Sequence, residues 1–460
     1  MPTVGVILTL PDEPAVFRSA TTAMLPSPNA APATSSLPPG LPSSFALDDA
    51  FPAVPLALQT ARNVRGFAAG AGVPTGRSAS AFAVRAHIEV DQLNDLVGAM
   101  RGPGGENRVF SDPGIGAVPT CGGDPPVGTS LDVQRLLGAG RLAALGMDGK
   151  DVALAIVDTG INLEHLRARG FSPSMSYHGS WSPAPAIPPG AAPVDHGTMC
   201  AYAALLSAPR ATLLDYAVLQ SRRQGGSVMD GFLSDAVLAY DKLLQLMTLA
   251  PEERFFSSLV VNNSWGMFHP SWDFPPGHPG RYSDNPNHPF NLIVGSLASA
   301  GTDILFAAGN CGPTCPDRRC LPTVSGFPAV NGANSHPEVL SVAGVDTNRT
   351  LVGYSSHGPG ALANDKPDLA AYTHFLGSEA FGNGTPDSGT STACPVAAGI
   401  VAALRSRYPY EPGNPRRTPG NVRDYLRNTA VHPSGPAGWT PDLGTGIIDT
   451  ANFPNAASVL

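Results

Sequence analysis

A serine hydroxyl attacks a carbonyl at neutral pH only when a neighbouring imidazole takes its proton. The informative residues are therefore an acid, an imidazole, an amide and a hydroxyl that stand at chain turns. Asp158 closes the apolar run VALAIV and is followed by the small turn residues Thr159 and Gly160. His196 begins an apolar helical run in DHGTMCAYA, Asn310 ends ILFAAGN, and Ser391 stands in DSGTSTACPVAAG between Gly389 and an apolar helix. Taken singly, each is more often something plainer: a turn aspartate, a capping histidine, a turn asparagine, a small residue at a helix start. Taken together they supply a nucleophile (Ser391), a general base (His196) and a carboxylate that holds the imidazole's tautomer and charge (Asp158). The Asn310 amide, with the Ser391 backbone N–H at a helix start, would donate to a tetrahedral oxyanion. Pro395 reads as a first-turn residue, where a missing N–H is harmless.

Such residues meet only if the elements around them bring strand and helix ends to one edge. From residue 129 onward, apolar strands at 152–157, 212–219, 258–263, 303–308 and 339–345 alternate with helices at 197–206, 228–249 and 291–300. Continuous apolar strands separated by helices imply an α/β fold, with a doubly wound, mostly parallel sheet covered on both faces and its site at the strands' carboxyl ends. The first 125 residues differ. Strands at 3–10, 81–90 and 107–110 and a helix at 91–101 form a small α+β unit, interrupted by a Pro-, Ser- and Ala-rich segment at 26–55 that reads as linker. A Gly/Pro cluster at 111–128 separates it from the second domain, 129–460.

The four motifs occur in the order Asp, His, Asn, Ser. AIVDTGI, DHGTMCA, FAAGN and SGTSTACPVAAG resemble the subtilisin-like (S8) serine peptidases, and GTGIIDT (444–450) is similar to that family's closing region. The resemblance implies a serine endopeptidase acting through an acyl-enzyme on peptide or protein substrates, with no cofactor needed for the chemistry. It also implies that Ser264, Trp265 and Gly266 belong to the substrate-binding strand and that Ala307, Ala308 and Gly309 wall the P1 pocket; Met267 stands where a second glycine is common. Many such enzymes hold structural calcium, but no ligands for it are placed here. Residues 81–119 resemble the second half of a propeptide, which implies intramolecular inhibition by the N-terminal domain; a permanent accessory domain is the alternative. Two other functions share the same residues: a peptide ligase or macrocyclase, and a catalytically silent subtilase-like binding protein. A sedolisin-type peptidase also carries G-T-S but uses a glutamate as base, which DHGT contradicts.

Cys200 matches a cysteine under the catalytic histidine in the proteinase K-like branch, and Cys394 has nothing at its spacing that would activate it. Cys121, Cys311, Cys315 and Cys320 are open to disulfide, zinc or reduced-thiol readings. The loop 267–290 carries four aromatics and His269, His278 and His288, reading either as a wall of the cleft or as an ordinary surface loop; no spacing supports metal. The net charge of −8 with no Lys/Arg run argues against nucleic acid, and no apolar run reaches the ~18 residues of a membrane span. The start, MPTVGVILTLPDEP, has no basic residue before its apolar stretch, so it reads as a strand of a cytoplasmic protein. A trimmed, secreted chain is also compatible with that start.

Overall fold

Val152, Leu154 and Ile156 face one apolar core while Ala153, Ala155 and Val157 face another. In an extended strand successive side chains point to opposite faces, so a run with no polar residue must be covered twice. The computed structural model shows this arrangement. It describes residues 2–11, 37–56, 81–117, 120, 124–183, 186–220, 230–267, 272–314, 320, 328–433 and 438–460.

The N-terminal part contains β1 (Thr3–Pro11), β2 (Ala46–Leu47), β3 (Val54–Leu56), β4 (Ala81–Glu89), α1 (Leu93–Ala99), β5 (Val109–Ser111) and β6 (Gly114–Gly116). β1 to β5 form one antiparallel sheet in the order β2-β4-β1-β5, with β3 also on β4. The described part of the Pro-rich segment thus adds two short strands to a sheet. Residues 26–36 of that segment lie outside the described residues.

The remainder contains α2 (Ser130–Leu136), α3 (Ala139–Ala144), β7 (Val152–Val157), α4 (Leu163–Ala168), β8 (Ser174–Met175), α5 (His196–Leu205), β9 (Thr212–Tyr216) and β10 (Asp230–Phe232). It continues with α6 (Leu233–Thr248), β11 (Ser258–Asn263), α7 (Pro289–Ser299), β12 (Asp303–Ala307), β13 (Leu340–Val345), β14 (Leu369–Tyr372), α8 (Thr390–Arg407) and α9 (Pro419–Thr429). Seven parallel strands run β14-β13-β12-β11-β7-β9-β8. The core on one side includes α5 and α8, and that on the other α6 and α7. Each fully buried Leu, Ile or Val contributes roughly 1.5–3 kcal/mol, which makes the alternating strands the main source of cohesion. No helix among the described residues is long and apolar enough to cross a membrane.

One face of the N-terminal sheet packs Val6, Leu8, Val84 and Ile88 with Leu96 of α1. Its other face contributes Ile7, Ala83, Val54 and Leu56 to the same core as α6 and α7. Polar anchors surround that contact. Arg85 bonds Asp235 (3.2 Å) across the interface and is held in place within its own sheet by Asp48 (2.8 Å) and the Phe51 ring, 4.8 Å below it. Asp112 accepts from the Ser234 N–H and hydroxyl, both at 2.8 Å, at the start of α6.

The loop before α7 also clasps the N-terminal sheet. Buried Asp273 accepts from the Ser111 hydroxyl at 2.7 Å, Ser111 N–H donates to Gly280 O at 2.9 Å, and His288 Nε2 lies 2.9 Å from Ser111 O. Phe274 joins the N-terminal core. Burial, only partly offset by the Ser111 carbonyl, pushes the His288 pKa down to about 4, so this histidine is a neutral anchor. His269 lies outside the described residues.

Burial raises the Asp112 pKa to about 6, with the Ser234 bonds and Arg85 pulling it down and Asp235 pushing it further up. A carboxyl raised above its ordinary 3.8 binds its proton more tightly folded than unfolded. Its contribution to stability is therefore present below about pH 4 and lost as pH rises through about 6. The difference in melting temperature between wild type and Asp112→Asn is expected to change across that window and flatten above it. A pH-independent difference would refute the assignment.

Candidate active site

β7 delivers Asp158 at its carboxyl end, fully buried, with Oδ1 accepting the Thr159 N–H at 2.8 Å. His196 is the first residue of α5, and its Nδ1 lies 2.8 Å from the same Asp158 Oδ1. Gly197 makes that approach feasible, because a Cβ there would stand 2.5 Å from Gly160 O. Burial lowers the His196 pKa, but the charge and hydrogen bond of Asp158, helped by Asp195, outweigh it and leave the pKa raised above 6.5. A carboxylate held against Nδ1 fixes the proton there and leaves Nε2 as the basic nitrogen. Nε2 is buried with no hydrogen-bond partner among the described residues.

Ser391 is the second residue of α8 and only 2% exposed. Its hydroxyl donates to Ser264 O at 3.2 Å, while the Ser264 hydroxyl donates to Ser391 O at 2.9 Å. The Ser391 hydroxyl is thus turned to the β11 extension and makes no hydrogen bond to His196 Nε2. Pro395 corrects the expectation from sequence. α8 begins at Thr390, so Pro395 lies beyond the first turn, and the N–H it lacks is the one that Ser391 O would have accepted. That carbonyl is instead satisfied by Ser264 and by Cys200 Sγ at 3.5 Å.

Asn310 follows β12 and is fully buried. Its Oδ1 accepts from the Thr390 N–H (2.9 Å) and hydroxyl (3.0 Å), which orients the amide toward the start of α8. Gly389, at φ +83°, has no room for a side chain: a Cβ would meet Asn310 Nδ2 at 2.9 Å. Thr390, inside the quoted motif but not singled out from sequence, is the residue that aims the amide.

Ser264, Trp265 and Gly266 directly follow β11. Gly266 exchanges both main-chain bonds with Gly116, each 3.1 Å, and Gly114–Gly116 pairs on its other edge with Asp230–Phe232, antiparallel. β6 is therefore the middle strand of three. The sequence placed a helix over 228–249, whereas residues 230–232 are strand and the helix starts at Leu233. Asn334 was also not foreseen; its Nδ2 ties Trp265 O to Ala307 O, both at 2.9 Å. Ala307 and Ala308 are buried, and Gly309 donates to the Thr390 hydroxyl at 3.0 Å. Met267 turns into the core beside α6 and α7.

Cys200 Sγ lies 3.6 Å from Asp158 Oδ2 and 3.8 Å from His196 Nδ1. Burial and Asp158 push its thiol pKa well up, and burial does the same for Cys394, so both remain protonated. Cys311 and Cys320 form a disulfide with Cα atoms 5.4 Å apart, closing the loop after Asn310. Cys121 and Cys315 lie outside the described residues. No calcium ligand set is assigned.

Residues 149–451 match the model of the subtilase family, peptidase S8. The chain belongs to the subtilase family. This subtilase is 28% identical over 326 residues to serine protease AprX of Bacillus subtilis, a match covering 61% of this chain and 62% of AprX. It is 32% identical over 174 residues to mycosin-4 of Mycobacterium tuberculosis, covering 34% of each. Over 283 residues it is 24% identical to the mouse membrane-bound transcription factor site-1 protease, covering 60% of this chain and 22% of that protein. The subtilase thus spans less than two thirds of the length of these relatives.

Proposed function

We propose that this subtilase is a serine endopeptidase that hydrolyses peptide bonds through an acyl-enzyme on Ser391. The observation that carries the reading is His196. Its Nδ1 is held at 2.8 Å by a buried carboxylate while its Nε2 stays buried without a partner, beside a helix start that presents a serine. His196 Nε2 takes the Ser391 proton as Oγ attacks the scissile carbonyl carbon. The imidazolium, stabilised by Asp158, then protonates the leaving amine, and water repeats the sequence in reverse to release the acid. Asn310 Nδ2 and the Ser391 N–H receive the oxyanion. The substrate lies extended between Ser264–Gly266 and Asp230–Phe232, recognised first through its main chain.

β6 occupies that strand position in the intact chain, so the N-terminal domain is an intramolecular inhibitor, and peptides enter when β6 leaves. Labelling of Ser391 with a fluorophosphonate tests the reading, with Ser391→Ala and His196→Ala as controls. A folded chain freed of β6 whose Ser391 stays unlabelled would sink it. The raised His196 pKa adds a pH requirement. The base must be neutral, so the acid limb of the kcat/KM profile is expected above pH 6.5, the ordinary imidazole value. A limb centred below that value would contradict the balance of charges around His196.

A further inference from the structure

We infer that Trp272 is a specificity-determining residue of this subtilase, selecting extended peptides with a bulky apolar side chain four residues before the one whose carbonyl is attacked. The inference rests on the peptidase reading above. The position follows from register. Gly116 lies opposite Gly266, and in an antiparallel pair the residue two further along a bound peptide would stand opposite Ser264. Ser264 O is where the Ser391 hydroxyl rests, so a peptide in this register presents its scissile residue there. Counting back four residues gives the place that Gly114 holds in β6.

Period-two alternation puts positions 114 and 115 on opposite faces. Ile115 is 1% exposed and belongs to the core that also contains Leu233 and Trp265. A side chain at position 114 would point the other way. A Cβ built there meets one group only, Trp272 Cε3 at 3.9 Å, an ordinary contact distance. Trp272 is 40% exposed, so its ring keeps apolar surface in water that Gly114 leaves uncovered. A leucine, methionine or aromatic side chain at that place would cover it and gain both apolar burial and ring contact.

The indole stands on a fixed support. The next residue, Asp273, accepts from the Phe274 N–H (2.8 Å), Tyr282 N–H (2.9 Å) and Ser283 N–H (2.8 Å), all within its own loop. Those bonds do not depend on the N-terminal domain. Glycine at 114 also has a consequence for the occupant: β6 forgoes this contact, which makes it a weaker ligand than a peptide that uses it.

The test can be made without catalysis, in the full-length chain silenced by Ser391→Ala. Hydrogen exchange of the Gly116 amide, which donates to Gly266 O, reports how firmly β6 is held. Gly114 has no left-handed φ, so a leucine fits its backbone, and the intrinsic exchange rate at residue 116 does not depend on residue 114. Gly114→Leu is expected to slow that exchange about three- to tenfold when Trp272 is present, and not at all in Trp272→Ala. Trp272→Phe should retain part of the effect. Equal slowing with and without the indole, or no slowing in either chain, overturns the inference. On active enzyme, the kcat/KM ratio for leucine over glycine at this position should fall toward one in Trp272→Ala. Absence of turnover in the wild-type chain freed of β6 would count against the peptidase reading, while the exchange experiment would still decide the role of Trp272.

Discussion

Ser391→Ala and His196→Ala are each expected to lower kcat by about 10⁶-fold, the scale measured for these two roles in subtilisin itself. Combining them should cost little more. The hydroxyl and the imidazole act as one device: without the base the hydroxyl is a poor nucleophile, and without the hydroxyl the base has no proton to accept. Asn310→Ala should cost less, about 10²- to 10³-fold, because it removes one of two oxyanion donors and leaves nucleophile and base intact. The order of these losses is the informative part. A merely structural cluster would lose stability when the most tightly bonded residue was cut, and that residue is Asp158 or Asn310, not Ser391. Among the described residues the Ser391 hydroxyl makes a single bond, to Ser264 O at 3.2 Å, so its removal should leave the melting temperature close to wild type. Turnover of an extended peptide by active enzyme, measured with the melting temperature for each variant, separates the two explanations. A Ser391→Ala chain retaining activity within about tenfold of wild type would end the acyl-enzyme reading. Cys394 offers no escape route, since its buried thiol lies 3.7 Å from Asn263 O and is held protonated.

Much of the candidate site's placement is legible in the sequence because its residues sit where local pattern and position in the fold agree. β11 was read as 258–263 because an uninterrupted buried strand has to be apolar along its length. Asp158 and Asn310 follow such strands while His196 and Ser391 stand at helix starts, so their types, positions and order together point to the constellation. What stayed hidden depends on distant partners. Residues 230–232 are extended because β6 pairs with them, more than a hundred residues away, and by composition they continue into α6. Asn334 joins two strands through carbonyls of Trp265 and Ala307, and an asparagine in a loop carries no local sign of that. Pro395 was misplaced because the first turn of α8 begins at Thr390, a boundary set by Asn310 bonding to Thr390. The loop 267–290 was read as either cleft wall or surface. It clasps the N-terminal sheet through Asp273 and Phe274, a role that requires knowing where Ser111 lies.

The same clasp shapes the second large effect. Ile115→Asp in the full-length chain is expected to speed fluorophosphonate labelling of Ser391 by about 10²-fold, because the closed cleft is a population and not a permanent state. Ile115 is 1% exposed in an apolar core, and a carboxylate there loses its burial energy and must either be desolvated or leave. A destabilisation of about 3 kcal/mol shifts a two-state equilibrium roughly 150-fold toward the open form, until opening is complete. The strand and the domain are separable in this respect. Arg85 with Asp48 and Asp235, Asp112 with Ser234, and Ser111 with Asp273 all lie outside β6, so they remain when it peels away. The domain should therefore stay docked: intact mass and hydrodynamic size should be unchanged while the Gly116 amide loses its exchange protection. Gly116→Pro offers an independent route to the same state, since it deletes the N–H that donates to Gly266 O and leaves the Ile115 side chain in place. If both variants release the strand, read from exchange of the Gly266 amide that donates to Gly116 O, and neither accelerates labelling, β6 does not guard Ser391, and the N-terminal domain is an accessory unit rather than an inhibitor. If acceleration appears only once the domain has dissociated, the anchors and the strand act together, and the clasp formed by Asp273 becomes the element that sets the threshold for opening.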